Sequence, residues 1–148
     1  MHTTTLIRHI LEVKGNDLWS VSPRMSVYDA LRMMSDKDVG ALVVMEGDRM
    51  VGIMSERDYA RKVVLLGKSS RETTVDEIMS SKVVTVHPDQ TVEEAMDLMT
   101  NNRVRHLPVV EDVREGKVLG MISIGDVVKA IIFKQREAIR DMENKIIS

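Results

Sequence analysis

The 148-residue chain has no cysteine, which excludes disulfides and thiolate sites and fits a reducing compartment. Its aromatics are one Trp, two Tyr and one Phe, so the stacking platforms of single-strand nucleic-acid binders are missing. A net charge of -2 and the lack of a long basic run leave no global field that favours nucleic acid. No apolar stretch approaches the roughly 18 residues that span a bilayer, and the stretch from Met1 to Leu11 lacks the apolar region of a signal peptide. There is no Gly-x-Ser-x-Gly elbow and no Gly-Lys-Ser/Thr phosphate loop, and the four histidines, at 2, 9, 87 and 106, show no local metal spacing. Catalysis, metal binding, membranes and nucleic acid therefore have little support, and the expectation is a soluble cytoplasmic protein that is not an enzyme.

What the chain does have is 43% apolar residues, ample for a core, and a duplication. A shift of 65 superposes Val21 on Val86, Pro23 on Pro88, Val27 on Val92, Ala30 on Ala95, Met34 on Met99, Leu42 on Leu107, Val44 on Val109 and Glu46 on Glu111. Beyond Glu111 the shift becomes 68, and Gly52-Ile53-Met54-Ser55-Glu56-Arg57-Asp58 returns as Gly120-Met121-Ile122-Ser123-Ile124-Gly125-Asp126. A three-residue insertion in a polar hairpin is where copies are expected to differ. Two copies of about sixty residues are too few and too long for a solenoid. Twelve Met residues suit adaptable core packing rather than cofactor chemistry.

Each copy reads as β-α-β-β-α. In the first, a short strand from Leu18 to Val21 stops at Pro23, and Ser26 precedes Val27, Ala30, Leu31 and Met34 at helical spacing. The apolar run Val39 to Met45 predicts a buried strand, Glu46-Gly47-Asp48-Arg49 a hairpin, and Met50 to Met54 the returning strand. A helix from Ser55 through Leu66 closes at Gly67. The second copy repeats this with Val83 to Val86, Val92 to Met99, His106 to Val110, Val118 to Ile122 and a helix from Ser123. Lys68 to Thr74 is a polar linker.

This order, with Pro after the first strand, Leu107-Pro108-Val109-Val110 and the Gly-x-x-Ser-x-x-Asp turn, resembles the CBS domain family as a tandem pair. The stretches Ser55 to Arg61 and Arg105 to Val109 are similar to small stand-alone bacterial pairs. The resemblance implies an α/β (α+β) fold of two CBS repeats related by a pseudo-two-fold, associating as a homodimeric disc. Its expected segments are an N-terminal helical segment 1–14, repeats 15–67 and 75–133 around linker 68–74, and a helical extension 134–148. It also implies a non-catalytic sensor of an adenosine-containing ligand, namely AMP, with NAD(H), ATP and S-adenosylmethionine as alternatives, acting on an unknown effector protein.

Ser55-x-x-Asp58 on its own is a capping box, with Ser accepting an amide of the first helical turn and Asp reaching back. Capping and ligand binding are compatible. A helix N-terminus offers amides to an anion, and Gly52 or Gly120 lets backbone pass close to a ligand. An ionised Asp accepts and never donates, so Asp58 and Asp126 suit ribose hydroxyls and repel phosphate. Ser55 and Ser123 are placed for the sugar or first phosphate, and Ile53 and Met121 are either pocket walls or ordinary core. The family pattern draws each cleft from both repeats. It joins Ser55, Arg57 and Asp58 with Val104 and Arg105, and Ser123 and Asp126 with Val39, Gly40 and nearby His106, which either meets phosphate or orients a loop. Segments Lys14 to Asp17 and Ile78 to Ser80, including Lys14, Met79 and Ser80, match positions that line the base. The extra cations of the Asp58 site imply a longer or more charged ligand there and a monophosphate at Asp126. From the end of the second repeat onward, Val128, Ile131, Gln135, Ile139, Met142 and Ile146 form a narrow helical stripe that either lies on its own domain or, as its narrowness favours, meets a dimer partner, and Leu6, Ile7, Ile10 and Leu11 form a shorter one expected to join it.

Overall fold

Backbone pairing reproduces the duplication. In a computed structural model, which describes residues 5–15, 17–114 and 117–147, Val21 pairs with Val44 and Val86 with Val109, both in parallel. Residues 1–4, Asn16, 115–116 of the hairpin insertion and Ser148 lie outside the described residues, and with them His2 and parts of the expected terminal and base-lining segments.

Helices α2 (Val27–Lys37) and α5 (Val92–Asn102) start and stop alike. Ser26 Oγ accepts from Asp29 N at 3.1 Å and Thr91 Oγ1 accepts from Glu94 N at 3.1 Å, so each satisfies an amide the helix leaves open. Each then buries a Val, an Ala and a Met: Val27, Ala30 and Met34, or Val92, Ala95 and Met99. They end on Asp38 (φ 54°) and Arg103 (φ 55°), the positive-φ non-glycine residues among those described. The next amide closes each helix, Val39 N onto Met34 O and Val104 N onto Met99 O, both at 3.0 Å.

Strands β1 (Ser20–Val21), β2 (Ala41–Glu46) and β3 (Arg49–Ser55) form one sheet, β1 parallel and β3 antiparallel to β2, with Gly47 at φ 63° in the hairpin. Among the described residues, the second copy forms β4 (His106–Val110) and β5 (Val118–Ser123). The expected strand Val83 to Val86 shrinks to one bridge, with Val86 N donating to Pro108 O at 3.0 Å and Val110 N to Val86 O at 2.9 Å. Pro108 explains the loss. The Ser20↔Val43 rung of the first copy needs an amide at Val43, and the matching position of the second copy is proline, which has none.

The helix expected from Ser55 to Leu66 is also corrected. Only α3 (Glu56–Tyr59) is α-helical; Ala60–Val64 is a π segment in which Leu65 N reaches Ala60 O at 3.0 Å. Adjacent β-branched Val63 and Val64 weaken a regular ladder there, and the wide turn buries Val63 while Val64, Leu65 and Leu66 stay exposed. A four-residue helix, α4 (Val75–Ile78), adds an element that the sequence pattern does not predict, and α6 (Ile124–Ile147) runs 24 residues.

The chain divides into two compact units. One holds the described parts of Asp17–Val83 and Asp112–Val118, the other those of Met1–Asn16, Val84–Glu111 and Leu119–Ser148. Each unit takes the segment that precedes the other copy in the sequence. With the second copy, Leu6 bridges Thr91, Ile7 N donates to Gln90 O and Arg8 N to Pro88 O, both at 2.9 Å, and α1 (Ile7–Lys14) follows. With the first copy, Thr74 bridges Ser26, Val75 N donates to Met25 O at 2.9 Å and Asp76 N to Pro23 O at 2.8 Å, and α4 follows. The apolar stripe of α1 is therefore not an outer surface: Ile7, Ile10 and Leu11 are buried in the core of their own unit with Val92, Met99, Leu107 and Ile122. In α6, Ile131 packs on this core and Lys134 pairs with Glu93 at 2.7 Å, whereas Phe133, Ile139, Met142 and Ile146 are exposed.

Candidate functional site

Both Ser-x-x-Asp turns start a helix directly from a strand. At β3–α3, Asp58 N donates to Ser55 Oγ at 3.2 Å, while Asp58 Oδ2 accepts from Ser55 N at 2.9 Å and Ser55 Oγ at 3.0 Å. At β5–α6, Asp126 N donates to Ser123 Oγ at 3.2 Å and Asp126 Oδ2 accepts from Ser123 N at 2.8 Å. The capping box is thus present in both copies. The following amide is used in both as well: Glu56 N donates to Gly40 O at 3.1 Å and Ile124 N to Arg105 O at 2.8 Å. Gly40 and Arg105 are thereby fixed, through their carbonyls, beside the turn of their own copy.

Both glycines lie against a neighbouring segment, Gly52 against side chain and backbone and Gly120 against the end of the Leu11 side chain. A Cβ on Gly52 would lie 2.6 Å from Met79 Sδ and 3.0 Å from Ser80 O, and one on Gly120 would lie 2.9 Å from Leu11 Cδ2. Met79 and Ser80 do face the first turn, since Ser80 exchanges both backbone hydrogen bonds with Ile53, at 2.9 and 3.0 Å. In the second turn the atoms facing Gly120 come from Leu11, and Met121 O accepts from Lys14 Nζ at 2.8 Å instead of from a strand.

Each carboxylate holds a lysine, and the two lysines have different origins. Lys62, one turn along from Asp58, lies 3.3 Å from Asp58 Oδ1 and donates to Ile78 O at 2.9 Å. Its match in the second copy is Ala130, and Asp126 Oδ2 instead accepts from Lys14 of α1 at 2.7 Å. Lys62 is missing from the residues singled out by sequence, although its i,i+4 spacing from Asp58 is a visible signal. Burial favours the neutral form of Asp126, but hydrogen bonds from Lys14 and from Ser123 outweigh it and hold its pKa below the ordinary value. His106 is lowered chiefly by burial, then by the positive charges of Lys14 and Arg105, with Asp126 opposing.

A lowered His pKa has a definite sign in stability. The unfolded chain takes the proton at the ordinary value of 6.5, the folded one only at lower pH, so stability held above 6.5 is lost as pH falls through the gap. His106→Gln should therefore shrink the drop in urea midpoint between pH 8 and pH 5 relative to the unaltered chain. An unchanged drop would show that His106 is not held neutral.

The sequence model of the CBS domain matches residues 9–65 and 75–133. The chain belongs to the CBS domain family. A solved CBS-domain protein of Burkholderia ambifaria MC40-6, assigned to signal transduction, is 48% identical with a TM-score of 0.82, covering 88% of this chain and 96% of that one. The Arabidopsis thaliana CBS domain-containing protein CBSX3, mitochondrial, is 42% identical over 147 residues, 93% of this chain and 69% of the relative. The CBS domain pair of protein MJ0100, solved with 5'-methylthioadenosine and S-adenosyl-L-methionine, is 25% identical with a TM-score of 0.78, covering 89% of this chain and 99% of that one. The two expected CBS repeats and the mixed helix and strand fold are thus established, and the chain is a regulatory CBS pair.

Within this pair, Ser55, Arg57, Asp58, Ile53, Met79, Ser80, Val39 and Gly40 fall in the first-copy unit, and Lys14, Val104, Arg105, His106, Met121, Ser123 and Asp126 in the second. Asp58 and Arg105 therefore belong to different units, as do Asp126 and Gly40. Lys14, expected to line a base, contacts the candidate ribose carboxylate. Among the described residues there is no cluster that would hold a metal ion, and no helix long and apolar enough to cross a membrane.

Proposed function

We propose that the chain is a cytoplasmic adenine-nucleotide sensor that binds AMP, ATP or NAD(H) at its two Ser-x-x-Asp turns and signals by changing the surface of a homodimer. The observation that carries this is the duplication of one unit of chemistry: strand, close-packed glycine, Ser cap and Asp at a helix start, in both copies of a CBS pair. A carboxylate in that place accepts the paired hydroxyls of a ribose, and adenosine-containing ligands occupy the related pair MJ0100. The exposed Ile139, Met142 and Ile146 of α6, spaced by three and four, suit a second copy of the chain. Occupancy then biases an effector only through different affinities for two states of that dimer.

A purely structural role is the competing function, favoured by the fact that both carboxylates already hold a cap and a lysine. A melting panel with AMP, ADP, ATP, NAD, NADH and S-adenosylmethionine separates the two. A ligand at about 100 times its dissociation constant adds roughly 2.7 kcal/mol, a rise of about 5–10 °C for a chain of this size. No rise with any of them would favour the structural role.

A further inference from the structure

We propose that Lys14 is a resident occupant of the Asp126 carboxylate that makes this turn select phosphorylated over neutral nucleosides. This rests on the assignment of Asp126 as a ribose acceptor. The ammonium of Lys14 bridges Asp126 Oδ2 at 2.7 Å and Met121 O at 2.8 Å. Oδ2 is also the oxygen that takes the Ser123 amide at 2.8 Å, so a ribose hydroxyl approaching Oδ2 competes with Lys14 for it. The position of the lysine is fixed by structure rather than by its own flexible stem. It ends an eight-residue helix whose Ile7, Ile10 and Leu11 are buried, and Leu11 closes on Gly120 beside the turn.

Charge decides the outcome when the hydroxyls arrive. If the ligand is neutral, Asp126 exchanges an ionic partner for two hydroxyls and the ammonium is left with a carbonyl and a half-buried His106. If it carries a phosphate near the ribose, the displaced ammonium gains a new anion within reach of its stem, and the exchange is balanced. The first copy lacks this device. There Ser80 occupies the carbonyl of Ile53, matching Met121, and Asp58 is held by Lys62 of its own helical segment, on the other carboxylate oxygen, Oδ1. Only the Asp126 turn therefore ties its ligand preference to the docked N-terminal helix.

The test is calorimetric titration of the full chain and of Lys14→Met with AMP and with adenosine, each in an Asp58→Ala background that silences the other turn. Lys14 is half-exposed and methionine is of similar length, so the fold is retained, and a melting curve checks it. The expected result is that Lys14→Met lowers the preference for AMP over adenosine by about tenfold, chiefly by tightening adenosine. Binding of both ligands with an unchanged ratio overturns the role of Lys14 and leaves the ribose assignment standing. Binding of neither ligand, or binding insensitive to Asp126→Ala, overturns the ribose assignment and this inference together.

Discussion

Replacing Ile7 by alanine should destabilise the protein by about 2–5 kcal/mol, a large share of the 5–15 kcal/mol that holds a typical domain. Ile7 is fully buried near the start of α1, packed into the core that also contains Val92, Met99, Leu107 and Ile122. Truncation removes the transfer energy of three carbons and leaves a cavity under a helix that is also tied by the Ile7 amide to Gln90 O and by Arg8 to Asp89. Val13 of the same helix is 92% exposed, so Val13→Ala should change stability by no more than about 0.5 kcal/mol. Urea unfolding of both variants, with unchanged slopes, measures the contrast. Equal midpoints would mean that α1 is not docked as an integral part of the second-copy core.

How much of the fold is legible in the sequence depends on distance along the chain. The β-α-β-β-α order of the first copy, the hairpin at Gly47 and both Ser caps rest on patterns a few residues wide, and those appear as expected. Features needing a partner far away are hidden. That Val83 to Val86 makes a single bridge follows from Pro108, more than twenty residues later, and only once the parallel pairing is known. Helix α4 has four residues, too short to show a period, and it directly follows the polar linker. The shift of 68 that relates Leu6 to Thr74 and Ile7 to Val75 is present in the sequence, yet applying it requires knowing that each segment docks on the copy it does not precede. The cap, the glycine and Asp of the candidate site are visible for the same local reason. Lys14 stands out by position but its contact does not, since its partner Asp126 is 112 residues away.

Removing either carboxylate should weaken its own ligand by about 10- to 100-fold, because hydrogen bonds to a charged acceptor contribute about 1.5–3 kcal/mol and each 1.4 kcal/mol is tenfold. The same substitution also deletes a helix cap. Asp58→Ala and Asp126→Ala lose the bonds to Ser55 N and Ser123 N, which costs about 1 kcal/mol of stability regardless of any ligand. Ser26→Ala supplies the control, since Ser26 caps α2 through Asp29 N and lies outside the proposed sites. It should lose similar stability with no change in nucleotide affinity. Calorimetry then reads the sites separately. Asp126→Ala should chiefly weaken AMP, whose single phosphate suits Lys14. Asp58→Ala should chiefly weaken ATP or NAD, because Arg57 of the same turn adds positive charge there. Indistinguishable affinities of the two variants for every adenine nucleotide would sink the asymmetry between the copies. A loss no larger than that of Ser26→Ala would reduce both turns to helix caps.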